Sequence, residues 1–172
     1  MVNIWFISDT HFQHTNILKF TGDDGKLIRP GFTNVREMDD KLITEWNAVV
    51  KPGDHVWHLG DFAMGNQLIA ARLLSQLHGR KRLCVGNHDN VKELAPFFDK
   101  VVLWRIWKDQ GFICTHIPTR LDQLRHCKIN VHGHLHQNLM DDPHYINICV
   151  EHTGYKPVHM DEIIAEIKKR NL

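Results

Sequence analysis

Between Ile129 and Asn138 the chain reads "INVHGHLHQN", with His132, His134 and His136 at every second position. Along an extended chain such side chains point the same way. Three imidazoles on one side repel when protonated and can ligate a metal when neutral. The spacing nominates all three. Asp9-Thr10-His11 sets a carboxylate and an imidazole two positions apart, a two-toothed clamp for a divalent ion. Asp61, Asn87, His88, Asp89 and His116 are further residues of the same chemical kind. Mixed oxygen and nitrogen ligands of borderline softness suit Mn, Fe, Zn, Ni or Co rather than Ca or Mg. A carboxylate has two oxygens and can bridge a pair of ions, which together activate water and clamp a phosphoryl group.

These residues need elements to hold them. Short apolar runs rich in Val, Ile and Trp read as strands: "NIWFIS" (3–8), "HVWHLG" (55–60), "KRLCVG" (81–86), "VVLWRIW" (101–107), "FICTH" (112–116), "KINVHG" (128–133) and "YINICVE" (145–151). Apolar residues at three-and-four spacing predict helices over 34–50 and 66–77. A last helix, over about 161–170, opens on acidic and closes on basic residues, as a helix dipole favours. Each candidate residue falls at or just past the end of a strand. Strand ends are where loops of layered α/β proteins converge on one crevice. Five separate ends delivering only Asp, Asn and His point to one site. The expected fold is a single α/β domain over 1–172, with two sheets flanked by helices.

Composition excludes little. The chain has 172 residues, 42% hydrophobic and 24% charged, with a formal net charge of +1 and fourteen histidines. That balance gives no sign of a strongly basic nucleic-acid or membrane binder. No run approaches the roughly 18 apolar residues of a membrane span, and no signal peptide is visible. Cys84, Cys114, Cys127 and Cys149 form no CxxC pair and read as reduced, buried small hydrophobes, so a cytoplasmic location is expected.

"DTH" (9–11), "GD" (60–61), "GNHD" (86–89), the single His116 and "GHLH" (133–136), in this order and at strand ends, resemble the calcineurin-like metallophosphoesterase superfamily. The longer stretches "SDTHFQHTNI", "HLGDF", "VGNHD", "NVHGHLH" and "VEHTGYKPVHMDEI" are similar to small, capless phosphoesterases of bacteria and phages. The resemblance implies a four-layer α/β/β/α fold, a two-sheet sandwich between helices. It implies two divalent transition-metal ions, Mn favoured, with Fe, Ni, Co or Zn as alternatives. Asp9, His11 and His136 would hold one ion, Asn87, His116 and His134 the other, and Asp61 would bridge them. Asn87 would also touch a phosphate oxygen, His88 would protonate the leaving oxygen, and Asp89 would orient such an imidazole. The family match leaves His132 over, as a packing or orienting residue. The chain departs from the commoner pattern in two places. Ile117-Pro118 follows His116 where Gly is usual, and "GDFAMG" lacks a second Asp three residues after Asp61.

The implied activity is hydrolysis of a phosphate ester. With no room for a large cap, a phosphodiester is favoured over a phosphomonoester, and a nucleotide or nucleic-acid end is a candidate substrate. Three rivals stand beside it. A non-catalytic, metal-dependent scaffold would use the same ligands. A metallo-β-lactamase-type site needs a further His where Gln137-Asn138 stand. A structural zinc site would use thiolates in place of so many Asp and Asn. His14 is read either as reaching substrate from the rim or as a capping residue. His55, His58, His78, His126, His144, His152 and His159 are read as surface or core-edge residues, and Trp5, Trp57, Trp104 and Trp107 as core. "RHCK" (125–128) with Arg120 offers a modest cationic patch, read as a solvated face.

Overall fold

The computed structural model describes residues 2–124 and 126–170, so Arg125 of the cationic run lies outside the described residues. Its strands are β1 (Ile4–Ile7), β2 (His55–His58), β3 (Arg80–Cys84), β4 (Lys100–Val102), β5 (Trp104–Trp107), β6 (Phe112–Thr115), β7 (Ile129–His132), β8 (Tyr145–Asn147) and β9 (Val158–His159). Its α-helices are α1 (Val35–Val49), α2 (Gln67–Gln76), α3 (Val91–Leu94), α4 (Val150–Thr153) and α5 (Met160–Lys169). One sheet has the order β4-β3-β2-β1-β9, parallel except for β9. The other has the order β5-β6-β7-β8, parallel except for β5. The chain is thus a mixed α/β protein with two sheets flanked by helices.

Two apolar cores hold the layers together. Phe6, Trp57, Leu59 and Cys84 of the first sheet pack on Phe112, Cys114, Ile129 and Val131 of the second. On the other face of the first sheet, Ile7, Val56 and Leu83 meet Met38, Leu42 and Trp46 of α1 and Ala70, Leu73 and Leu74 of α2. Met38, Leu42 and Trp46 lie four apart, one stripe of the helix. Asn34 caps α1 by accepting the Glu37 N–H, and Asn66 caps α2 by accepting those of Leu68 and Ile69. The Trp46 indole also donates to the His78 carbonyl (3.0 Å). Beyond the second sheet, Leu124 and Cys127 of the β6–β7 connection close a small cluster on Ile113. Helix α5 joins the inter-sheet core through Met160 and Ile163, and Arg170 reaches the carbonyls of Pro143 and Tyr145 beside β8.

Two expected strands run differently in the structure, and β9, α3 and α4 were not expected. "VVLWRIW" is two strands, because the chain crosses from one sheet to the other at exposed Leu103, a corner of the sandwich. Trp104 is consequently 56% exposed on an edge strand rather than core. "YINICVE" stops at Asn147, whose side chain accepts the Cys149 N–H (2.9 Å), and the chain turns into α4. The four cysteines are free and buried.

His58, read as a surface or core-edge residue, is fully buried beneath the strand ends. Its Nδ1 accepts the Gly60 N–H (3.2 Å), so the Nε2–H donates to Thr10 Oγ1 (2.9 Å), which donates in turn to the Phe62 carbonyl (2.7 Å). Burial pushes the His58 pKa down to about 3 from 6.5. Between those values the unfolded chain binds a proton that the folded chain refuses, so stability is intact above 6.5 and is lost as pH falls toward 3. Thermal unfolding of the metal-free protein is therefore expected to drop from pH 7 to pH 4, and His58→Gln to flatten that slope; an unchanged slope would refute the assignment. Trp46→Ala is expected to lower the unfolding free energy by about 3–5 kcal/mol, read by chemical denaturation.

Candidate metal centre

The loops after β1 and β2 run side by side past the strand ends. The N–H groups of Asp9, His11 and Phe12 donate to the carbonyls of Gly60, Asp61 and Phe62, each at 3.0 Å. Asp9, His11 and Gln13 have φ of 57°, 47° and 64°, so this segment is a chain of left-handed turns and not the extended clamp expected. Asp39 of α1 holds it from behind, accepting the Gln13 N–H (3.1 Å) on Oδ1 and the Gln13 amide on Oδ2. Asp61, His134 and His136 are left-handed too, at 55°, 69° and 48°. The every-second-residue argument for three histidines fails for that reason. His132 ends a strand and is fully buried, with Nδ1 on the Gly133 carbonyl, whereas His134 and His136 are re-aimed by the turns beyond it.

Two buried carboxylates form the centre. Asp9 Oδ2 accepts from Ser8 Oγ (2.5 Å), the His134 N–H (2.9 Å) and Cys149 Sγ (3.2 Å). Asp9 Oδ1 is buried with no hydrogen-bond partner, as is His11 Nε2, 3.8 Å away. Asp61 Oδ1 accepts the His88 N–H (2.9 Å), while its Oδ2 lies 3.6 Å from His11 Nε2 and 3.4 Å from His116 Nε2. Burial disfavours the Asp61 charge, but the His116 hydrogen bond and field and the His88 N–H outweigh it and hold the carboxyl below its ordinary range. Burial, reinforced by Arg29, pushes the His11 pKa down to about 2, so this imidazole is neutral. Glycine is required where the loops meet: a Cβ on Gly133 would strike Ser8 Oγ and Asp9 Oδ2, and one on Gly86 would strike Asp61.

The other imidazoles close around this pair. His136 stacks on His11 with centroids 5.2 Å apart, and its Nδ1 faces Glu151 Oε1 at 3.1 Å. His116 is buried, with Nδ1 on the Leu59 carbonyl (2.8 Å) and Nε2 on Asn87 Oδ1 (2.9 Å). The His134 ring is half-buried and 5.1 Å from that of His116. Two groups place their ligand atoms within 4.8 Å of one another: Asp9, His11 and His136, and Asp9, Asp61 and His116. Asp9 is common to both; Asp61 belongs to the second, with its Oδ2 also 3.6 Å from His11 Nε2, and His134 lies outside them. The neutral His11 nitrogen and the ionised Asp61 oxygen 3.6 Å from it, with the buried unpartnered Asp9 Oδ1 beside them, fit a divalent transition-metal ion.

Asn87 and His88 are exposed at the rim, and the His88 ring lies 5.7 Å from that of His11. Asp89 does not orient His88. Its oxygens accept the N–H groups of Phe62 (2.9 Å), Asp61 (3.0 Å) and Gly86 (2.8 Å), so it ties the β3 loop to the β2 loop. Burial, with Asp61 adding to it, raises the Asp89 pKa despite those bonds. His14 is half-buried, 5.3 Å from the His11 ring, and its Nδ1 is buried without a partner. Sequence reasoning missed Arg29 and Glu151, a buried ion pair behind His136 at 2.8 Å. Neither is marked locally: Glu151 closes a run read as a strand, and nothing in "LIRPGF" sets Arg29 apart.

No family model matches the chain. Over 98% of its length it is 37% identical to an uncharacterized protein of Methanocaldococcus jannaschii, covering 93% of that protein. It is 30% identical to the Gene 66 protein of Mycobacterium phage L5, over 95% of this chain and 93% of that one. The crystal structure of a protein of unknown function from Aquifex aeolicus superimposes with a TM-score of 0.76 at 30% identity, covering 95% of this chain and 98% of that one. Sequence similarity along nearly the whole length means that the chain belongs to one family with these archaeal and phage proteins, and it shares its fold with the Aquifex protein.

Proposed function

We propose that the chain is a metal-dependent phosphoesterase of the calcineurin-like superfamily, acting on a phosphodiester. The observation that carries this reading is the pair of buried, unpartnered atoms Asp9 Oδ1 and His11 Nε2 facing Asp61 Oδ2. Buried polar atoms without partners are rare unless a ligand completes them. Asp9, His11 and His136 would hold one ion, Asn87, His116 and His134 a second, and Asp61 would lie between. Such ions, Mn favoured, lower the pKa of water toward about 7 and neutralise charge on phosphoryl oxygens. The two-sheet fold fits that superfamily, with the β6–β7 connection where a fourth, helical layer is expected.

The chain's own residues do the rest. Neutral His11 and the ionised Asp61 present lone pairs without a proton to displace. Asn87 has its carbonyl toward His116, which leaves the amide N–H groups for a phosphoryl oxygen. His88 stands exposed beside the cluster, and its backbone is fixed by Asp61. From there it donates a proton to the leaving oxygen. Asp89 acts through the loops and does not meet substrate. The loops around the site carry no domain-sized insertion, so the rim admits an extended substrate such as a nucleotide or nucleic-acid end. Among the described residues no helix is long and apolar enough to cross a membrane. Four free thiols fit a reducing, cytoplasmic setting.

The test strips the protein of metal, restores Mn²⁺ and compares rates on bis(p-nitrophenyl) phosphate and p-nitrophenyl phosphate. A diester preference that Asp61→Ala abolishes, together with its metal binding, is expected. A monoester preference would make the protein a phosphomonoesterase. Metal bound with no turnover on either, across Mn, Ni, Co and Zn, would overturn the enzymatic reading in favour of a scaffold. His88→Asn is expected to keep the metal content and to lower kcat by about 10²–10⁴-fold; full activity would remove His88 from the mechanism.

A further inference from the structure

Arg29 lies in the loop before α1 and is fully buried, though no step above uses it. Its Nε donates to Glu151 Oε1 (2.8 Å), its Nη1 to the Thr10 carbonyl (2.9 Å) and its Nη2 to the Asp9 carbonyl. Nη1 also rests on Met38 Sδ at 3.3 Å. On the far side, the same Glu151 oxygen faces His136 Nδ1 at 3.1 Å. One guanidinium therefore joins the loop that carries Asp9 and His11 to the side chain that aims His136.

The arrangement is costly unless it does something. Removing a guanidinium and a carboxylate from water is costly, and a hydrophobic pair of similar volume often serves stability as well. What the pair supplies is geometry. Its planar fork fixes two consecutive carbonyls in a segment whose residues 9 and 11 are left-handed, a backbone that persists only where surroundings over-determine it. A carboxylate on Nδ1 of an imidazole fixes the ring and leaves Nε2 as the outward lone pair. His116, in the other half, has a neutral carbonyl in that role.

We propose that Arg29 and Glu151 are positioning residues for the Asp9–His11–His136 half of the site, setting its affinity for a divalent ion without touching ion or substrate. The proposal rests on the metal-site reading above. A merely structural ion pair would change folding stability or both halves of the site alike; a positioning pair changes one half.

The test titrates the metal-free protein with Co²⁺, following calorimetric heats and the visible d–d absorption. His134→Ala serves as the reference for loss of the other ion. Two ions are expected on the wild-type protein. Glu151→Ala should weaken one of them by about 10–100-fold and leave the affinity lost in His134→Ala unchanged. Glu151→Gln, which keeps an acceptor at that position, should recover part of the loss, and Arg29→Lys, a charge without the fork, should weaken the same ion at least as strongly. Wild-type affinities at both sites in Glu151→Ala, or equal weakening of both, would overturn the proposal while the metal reading stands. A wild-type protein that binds no Co²⁺ would overturn the metal reading and the proposal with it. The Glu151 variants keep the test decisive if Arg29→Lys does not fold.

Discussion

Two carboxylates buried side by side at the end of a β-sandwich are the constraint around which the rest of the chain is arranged. Asp9 and Asp61 are 0% and 2% exposed, and each must be compensated from the protein because water cannot reach it. Compensation comes from backbone N–H groups of residues far away in sequence, His134 for Asp9 and His88 for Asp61. It comes also from Ser8, from Cys149 and from the imidazole of His116. Each donor belongs to a different strand end, so satisfying the carboxylates fixes all the loops relative to one another. The glycines at 86 and 133 are part of the same arrangement, since the approach leaves no space for a side chain.

The second constraint is backbone. Five of the seven candidate ligands, Asp9, His11, Asp61, His134 and His136, have positive φ although none is glycine. Such residues cost of order 1–3 kcal/mol each and gather at functional sites. Here they serve a geometric purpose. A strand presents alternate side chains to opposite faces, so a ligand on the strand would lie against a sheet. A left-handed residue directly past the strand end swings the side chain into the space between loops. Gln13 on Asp39, Thr10 on His58 and the Asp9 and Thr10 carbonyls on Arg29 are the contacts that hold the chain in this conformation.

Much of this architecture is legible in the sequence, and the failures have one cause. Apolar runs located every strand but β9, because burial between layers demands them; helices α1 and α2 followed from their apolar spacing and α5 from the charges at its ends. The candidate ligands were found because Asp, Asn and His stood where those runs stopped. What could not be read is anything set by left-handed turns or by contacts between distant segments. The spacing of His132, His134 and His136 misled for that reason, and Asp89 was given an imidazole to orient when three amides needed it. Arg29 and Glu151 are 122 residues apart, and nothing local in either marks the pair. His58 looked like any strand histidine, yet it is buried with both nitrogens hydrogen-bonded. The split of "VVLWRIW" depends on which sheet each half joins, a choice made in space.

Exposure grades across the site in one direction, and that grade bears on how it would work. Asp9, His11, Asp61 and His116 are at most 3% exposed, His134 and His136 are half-buried, and Asn87 and His88 are exposed. Groups that must hold a charge in fixed geometry gain from burial, since electrostatic interactions strengthen as water is excluded. A group that must exchange a proton with a departing alcohol and then recover it from solvent gains from the opposite placement. His88 is placed as the proposed mechanism would require, exposed on the β3 loop, and its backbone N–H is meanwhile bound to the buried Asp61. That one hydrogen bond ties the exposed rim to the buried centre.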